Sequence, residues 1–116
     1  MRDLLLQCAG AGAIIVAVIH GLLGETKVFP RATIEPPRLR TLIRLVWQAS
    51  TVAWIGCGVL LIATPWMESA SARRWIVLTM IGVFGFSACA NAWATRGRHF
   101  GWMALTAVVV MTVAGY

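Results

Sequence analysis

The chain has 116 residues, 59% of them hydrophobic and 12% charged, and its mean hydropathy is +0.80. An ordinary soluble domain carries about 25% charged residues to keep its surface solvated, so this composition excludes one and points to a surface that meets lipid. The formal net charge of +6 sits in clusters between apolar runs. That pattern argues against nucleic-acid binding and for juxtamembrane cations that set topology and touch anionic lipid headgroups.

The first apolar run, residues 4–23, is interrupted only by Gln7 and His20, and about 20 such residues cross a bilayer core. Met1-Arg2 ahead of it also fits a signal peptide. The run ends in His-Gly-Leu-Leu-Gly-Glu rather than at a small-residue cleavage site, so a retained helix is expected. Gly24 is a natural left-handed cap for it. Residues 25–40 hold Pro30 and the pair Pro36-Pro37, which interrupt a helix and predict an interfacial loop with Val28 and Phe29 at headgroup level. The second span is 41–64, stopped by Pro65. Residues 66–74 form a polar hairpin in which Ser69 or Ser71 caps the next helix. The third span is 75–95, RGRH (96–99) is a tight turn, and 100–116 is a fourth span of roughly 17 residues, at the lower limit for crossing. The expected fold is all-α: a single-domain integral membrane four-helix bundle made of two antiparallel transmembrane hairpins.

Lys27, Arg31, Arg38, Arg40, Arg44, Arg96 and Arg98 flank the ends joined by the first and third loops, against Arg2, Arg73 and Arg74 on the opposite side. By the positive-inside rule the larger group is cytoplasmic, which puts both termini of a multi-pass protein on the outer, periplasmic side of a bacterial inner membrane. Trp47, Trp66, Trp75, Trp93 and Trp102 fall near span ends, where an amphipathic ring prefers the interface; Trp54 falls well inside.

Lipid gives helices no hydrophobic reason to associate, so small residues must allow close approach. Ala9, Ala13 and Ala17 offer such a row on the first helix, Ala49, Ala53, Gly56 and Gly58 on the second, and Gly82, Gly85, Ser87 and Ala88 on the third. These read as packing seams, or as seams specialised for a pigment, a quinone or a foreign helix. The fourth helix is bulky in its middle. Helices one to three are therefore expected to form the core, and the face Trp102, Met103, Thr106, Val110 and Val113 to meet lipid or a neighbouring subunit. Cys8, Cys57 and Cys89 lie in three different apolar runs without a CxxC pair, which predicts small buried hydrophobes, with a disulfide or a metal site as the alternative.

Polar groups in a span are costly and ask for partners. His20, Glu25, Arg44, Gln48, Asn91 and His99 all fall towards the cytoplasmic end. Arg40, Arg44, Gln48 and Thr51 follow four- and three-residue steps, which puts them on one stripe; Ser87, Asn91 and Thr95 do the same on the third helix. The expected arrangement is a hydrogen-bonded collar in which Glu25 pairs with Arg44, and His20 bonds Gln48 or Asn91. The collar reads as structural, as proton-handling, or as ligating haem or a metal if His20 and His99 converge. No metal site is assigned. Nothing reads as a nucleophile–base pair, a phosphate loop or paired carboxylates, so no enzyme is expected.

HGLLGE (20–25), followed by RLVWQASTVAW (44–54), resembles a group of small bacterial four-helix inner-membrane proteins of unassigned function, which carry His-x-x-Leu-Gly-Glu after helix one and Trp-His in helix two. His20, Leu23, Gly24, Glu25 and Trp47 match over roughly residues 10–65, while Gln48 stands in place of the second histidine. The resemblance implies membrane location and fold, without an activity. Small size, short loops and the lack of a soluble domain predict a non-catalytic accessory subunit of a larger membrane complex, photosynthetic or respiratory by analogy. A small proton-coupled transporter or channel, and a haem- or quinone-binding electron-transfer subunit, are the alternatives. The expected partners are the lipid bilayer and other membrane protein subunits.

Overall fold

In the computed structural model, which describes residues 1–116, the chain forms four α-helices and no strands: α1 (Arg2–Leu23), α2 (Pro37–Ala63), α3 (Ala70–Ala94) and α4 (Gly101–Gly115). Three of them are long and apolar enough to cross a membrane, and α4 is an apolar helix of 15 residues. At 1.5 Å per residue α4 is about 22 Å long, short of the ~30 Å hydrocarbon core. By length alone three helices qualify as spans; α4, the expected fourth, falls short of that measure, but it runs from the 95–100 turn back to Arg2 and Leu6 at the other end.

The helix boundaries follow local signals, with two corrections. Gly24 does not take the left-handed conformation expected of a cap; its φ and ψ are −53° and −53°. The chain instead runs on through a π turn, Gly24–Val28, closed by the Phe29 N–H donating to the Gly24 carbonyl at 3.0 Å. Glycine is required here for space, because a Cβ at Gly24 would collide with the Trp47 indole. The expected 25–40 loop shrinks further at its far end. Pro36 is extended (ψ 167°) and Pro37 opens α2, in the first turn, where a missing N–H costs nothing. At α3 the Ser69 hydroxyl caps the helix by accepting from the Ala72 N–H at 3.2 Å, so the helix begins before the predicted residue 75. It ends where Arg96 and Gly97 turn left-handed (φ 53° and 72°), and the Gly97 N–H closes the end on the Ala92 carbonyl at 2.7 Å, a Schellman-type stop.

The helices alternate in direction. Asp3 and Arg73 meet at one end, at 3.4 Å, and Gly115 lies against Leu6 and Arg2 there. The opposite end gathers the π turn, the first loop, the start of α2 and the 95–100 turn. Each helix packs mainly on its neighbour in the order α2, α1, α4, α3, whereas α2 and α3 meet sparsely; the rings of Trp54 and Phe84 stand edge-on at 6.0 Å between them. The body measures 49 × 26 × 18 Å.

This order overturns the expected division into a three-helix core and an outer fourth helix. Helix α4 packs between α1 and α3, and its Leu105 and Val108 join Leu6, Ala13, Val77 and Phe84 in the buried core. The reason is its second face: Gly101, Leu105, Val108, Thr112 and Gly115 recur at helical spacing and are all buried. The opposite face carries Met103, Thr106, Val110 and Val113 exposed and Trp102 partly covered, and Trp102 Nε1 donates to the Gly97 carbonyl at 3.1 Å.

The small-residue rows are used unequally. Ala9, Ala13 and Ala17 are fully buried. Gly58 is buried against α1, where a Cβ on Gly10 would sit 2.5 Å from the Gly58 carbonyl oxygen. Ala49, Ala53, Gly56 and Gly82, however, are exposed, and a Cβ at Gly56, Gly82 or Gly85 would meet nothing within 4 Å. On α3 the interior is filled by Val77, Met80 and Phe84, whose bulk holds the glycine face outward. The three cysteines are free and are less buried than expected, with Cys8 and Cys89 exposed and Cys57 partly covered.

Candidate functional site

The polar stripe of α2 faces the end of α1 along its whole length. Arg40 Nη2 donates to the Phe29 carbonyl at 2.7 Å. Arg44 forms a two-pronged pair with Glu25, Nε to Oε1 at 3.0 Å and Nη2 to Oε2 at 2.5 Å. Gln48 Nε2 donates to Glu25 Oε1 at 2.9 Å and to the Gly21 carbonyl at 3.2 Å. Both oxygens of Glu25 are thus engaged, and Gln48 ties the π turn to α2. Glu68 makes no such bonds and lies exposed beyond α2. Glu25→Gln should therefore lower the thermal midpoint of the detergent-solubilised protein, while Glu68→Gln leaves it in place; equal shifts would count against a structural collar.

His20 has partners other than the expected Gln48 or Asn91. Its ring stacks on Trp47 at 4.2 Å with a 6° interplanar angle, and lies 4.7 Å from Trp54. Its Nε2 lies 3.2 Å from Ser50 Oγ. The single Ser50 hydroxyl proton is directed to the Trp47 carbonyl at 2.6 Å, so at the His20 contact the hydroxyl accepts and Nε2 carries hydrogen. Trp47 Nε1 donates to the His20 carbonyl at 3.0 Å, and Phe29 meets the same indole edge-on. Ser50, Trp47 and Trp54 were missed as partners. Spacing does put residues 47, 50 and 54 on one helix face, at i, i+3 and i+7, but it does not say that this face meets His20.

Asn91 and His99 stand apart from this group. They come together at the start of α4: His99 Nδ1 accepts from the Gly101 N–H at 3.1 Å, and a Cβ added at Gly101 would meet His99 Nδ1 at 2.8 Å and Asn91 Nδ2 at 3.2 Å. Ser87 and Thr95 bond carbonyls of their own helix, at 2.7 Å each. The Asn91 Oδ1 is buried and has no hydrogen-bond partner. The single collar expected from the sequence is two groups, facing each other across a cavity.

That cavity has a volume of about 630 Å³. Its floor is α1 and α4, with Ile15, Ile19 and Leu105. Trp47 and Trp54 form the α2 wall, and Asn91 and Thr95 the α3 wall. His20 and His99 contribute from opposite sides, and Lys27 and Arg31 stand at the rim. The cavity exists because α2 and α3 splay apart at this end, beyond the contact of Trp54 with Phe84. A mostly apolar pocket with a few converging polar groups is the usual form of a small-molecule site. No cluster of three or more His, Cys, Asp or Glu side chains is placed to hold a metal ion.

Fold and site together define an all-helical protein with three helices long and apolar enough to cross a membrane, and with an apolar cavity at its cation-rich end. In comparisons with known proteins, no protein-family model, no curated protein and no solved structure matches this chain.

Proposed function

We propose that the chain is a non-catalytic, multi-pass subunit of a larger complex in a bacterial inner membrane, with the cation-rich end in the cytoplasm and both termini outside. The single observation that carries this reading is the set of small residues turned outward. Close backbone approach drives helix association in lipid, yet Ala49, Ala53 and Gly56 on α2 and Gly82 on α3 are exposed, and the glycines have open space beside them. A helix from another subunit would fit against either face. The seven-to-three division of cations and the likeness around HGLLGE support the membrane placement and orientation. A photosynthetic or respiratory setting rests on analogy alone.

The transporter or channel alternative has less support, because Glu25 is engaged by Arg44 and Gln48 and the cavity is confined to the cationic half of the bundle. The cavity favours a second reading, a subunit that holds a membrane-borne small molecule; quinone and haem belong to that class.

Leucine at Gly56 or Gly82 tests the proposal, since the fold has room for it. Gly56→Leu and Gly82→Leu should melt like the parent chain, but native purification from the membrane should recover at least one of them without the co-purifying subunits identified by mass spectrometry. A parent chain that purifies alone, or full recovery of the complex by both variants, would overturn the subunit reading.

A further inference from the structure

We propose that the cavity between α2 and α3 is a binding site for one anionic phospholipid whose headgroup carries hydroxyl groups. The inference rests on the membrane placement proposed above and concerns a different surface from the docking faces.

Charge selects the phosphate. The cavity lining includes Lys27, Arg31, His20 and His99, and no carboxylate. Glu25, in the π turn, is turned to Arg44 and Gln48 and lies outside the lining. Cations near a membrane surface attract anionic lipid. His99 adds a directed donor. Its Nδ1 accepts the Gly101 N–H, so the neutral ring carries its hydrogen on Nε2.

Hydrogen-bond accounting selects the hydroxyl. Asn91 Oδ1 is buried without a donor, but protein encloses it and a group in the cavity does not reach it. The free acceptor on the lining is on His20: with Nε2–H given to Ser50, its Nδ1 has no hydrogen-bond partner in the fold. A ligand with oxygen acceptors only, such as an oxidised quinone, leaves it unsatisfied. A headgroup with phosphate and free hydroxyls answers the cations and this acceptor together. The apolar remainder of the wall, Ile15, Ile19, Leu105 and Trp54, suits an acyl chain entering from the gap between α2 and α3.

The full chain should be reconstituted in vesicles containing equal parts of phosphatidylglycerol, phosphatidylethanolamine and phosphatidylcholine, then extracted and examined by native mass spectrometry. One phosphatidylglycerol per chain should be retained, preferred over phosphatidylcholine by roughly tenfold or more, as expected for two nearby cations. The preference should fall several-fold in Asn91→Asp, which places a repelling charge on the cavity wall, and in the double variant Lys27→Gln/Arg31→Gln. It should persist in Arg96→Gln/Arg98→Gln, which removes two cations from the same end outside the cavity. Equal retention of the three lipids, equal loss in both double variants, retention by Asn91→Asp at the parent level, or a quinone or haem found in the site would each overturn the proposal. Free glycerol phosphate competing as well as the lipid would also overturn it, by showing that the acyl chain is not held. Failure to enter vesicles at all would instead overturn the membrane placement.

Discussion

Gly10→Ala should be among the most damaging single substitutions in the chain, although it adds one methyl group. The new Cβ would lie 2.5 Å from the Gly58 carbonyl oxygen, 2.9 Å from the Ile62 backbone nitrogen and 2.7 Å from the Ile62 side chain. Backbone atoms cannot rotate away, so α1 and α2 would have to separate along their closest contact. Overpacking typically costs about 1–3 kcal/mol, and here the loss extends to neighbouring contacts, since α2 packs mainly on α1. Gly12→Ala is the control two residues away. Its Cβ would meet Val108 at 3.5 Å and Met111 at 3.7 Å, an ordinary van der Waals contact. Thermal melting in one detergent should show a clear drop for Gly10→Ala and little change for Gly12→Ala; matching midpoints would mean that the two helices do not approach this closely.

Trp47→Ala should produce a comparable loss for a different reason. The indole covers Gly24, stacks on His20, meets Phe29 and donates to the His20 carbonyl. Deleting a buried aromatic side chain costs about 3–5 kcal/mol, and partial exposure places Trp47 towards the low end. Trp47→Phe keeps an aromatic ring over His20 and removes the N–H donor, so it should cost roughly 1 kcal/mol, the usual net value of one hydrogen bond. Trp93, 87% exposed, should tolerate alanine. An order of Trp47→Ala, then Trp47→Phe, then Trp93→Ala in melting temperature tests the arrangement. If Trp93→Ala is as harmful as Trp47→Ala, the stacked cluster is not what holds the first loop to the bundle.

The polar cluster shows how far a sequence can be read. The Glu25–Arg44 pair was legible because Arg40, Arg44 and Gln48 recur on one helix face, and Glu25 follows the first helix at the same end. The partner of His20 was not legible. Ser50 is one of several hydroxyls on α2, and selecting it requires the rotation of α2 against α1, which the Gly10–Gly58 contact and the π turn set. Asn91 and His99 share an end with His20, but the splay of α2 from α3 puts a cavity between them. Spacing along one helix cannot report that gap.

By itself the sequence determined the helical class, the apolar runs, the proline stop before α2, the glycine turn after α3 and the unequal division of cations between the two ends. Each depends on local chemistry: the backbone angles proline and glycine allow, and the free energy of moving a side chain from water to hydrocarbon. The tertiary structure decided which small-residue faces close the bundle, that α4 lies between α1 and α3, and that a cavity opens beside Asn91. Every helix here has more than one face apolar enough to bury. Where most side chains are apolar, hydrophobicity ranks those faces nearly equally, and the choice falls to shape: a glycine opposite a glycine on α1 and α2, and Phe84 filling the space that the α3 glycines leave unused.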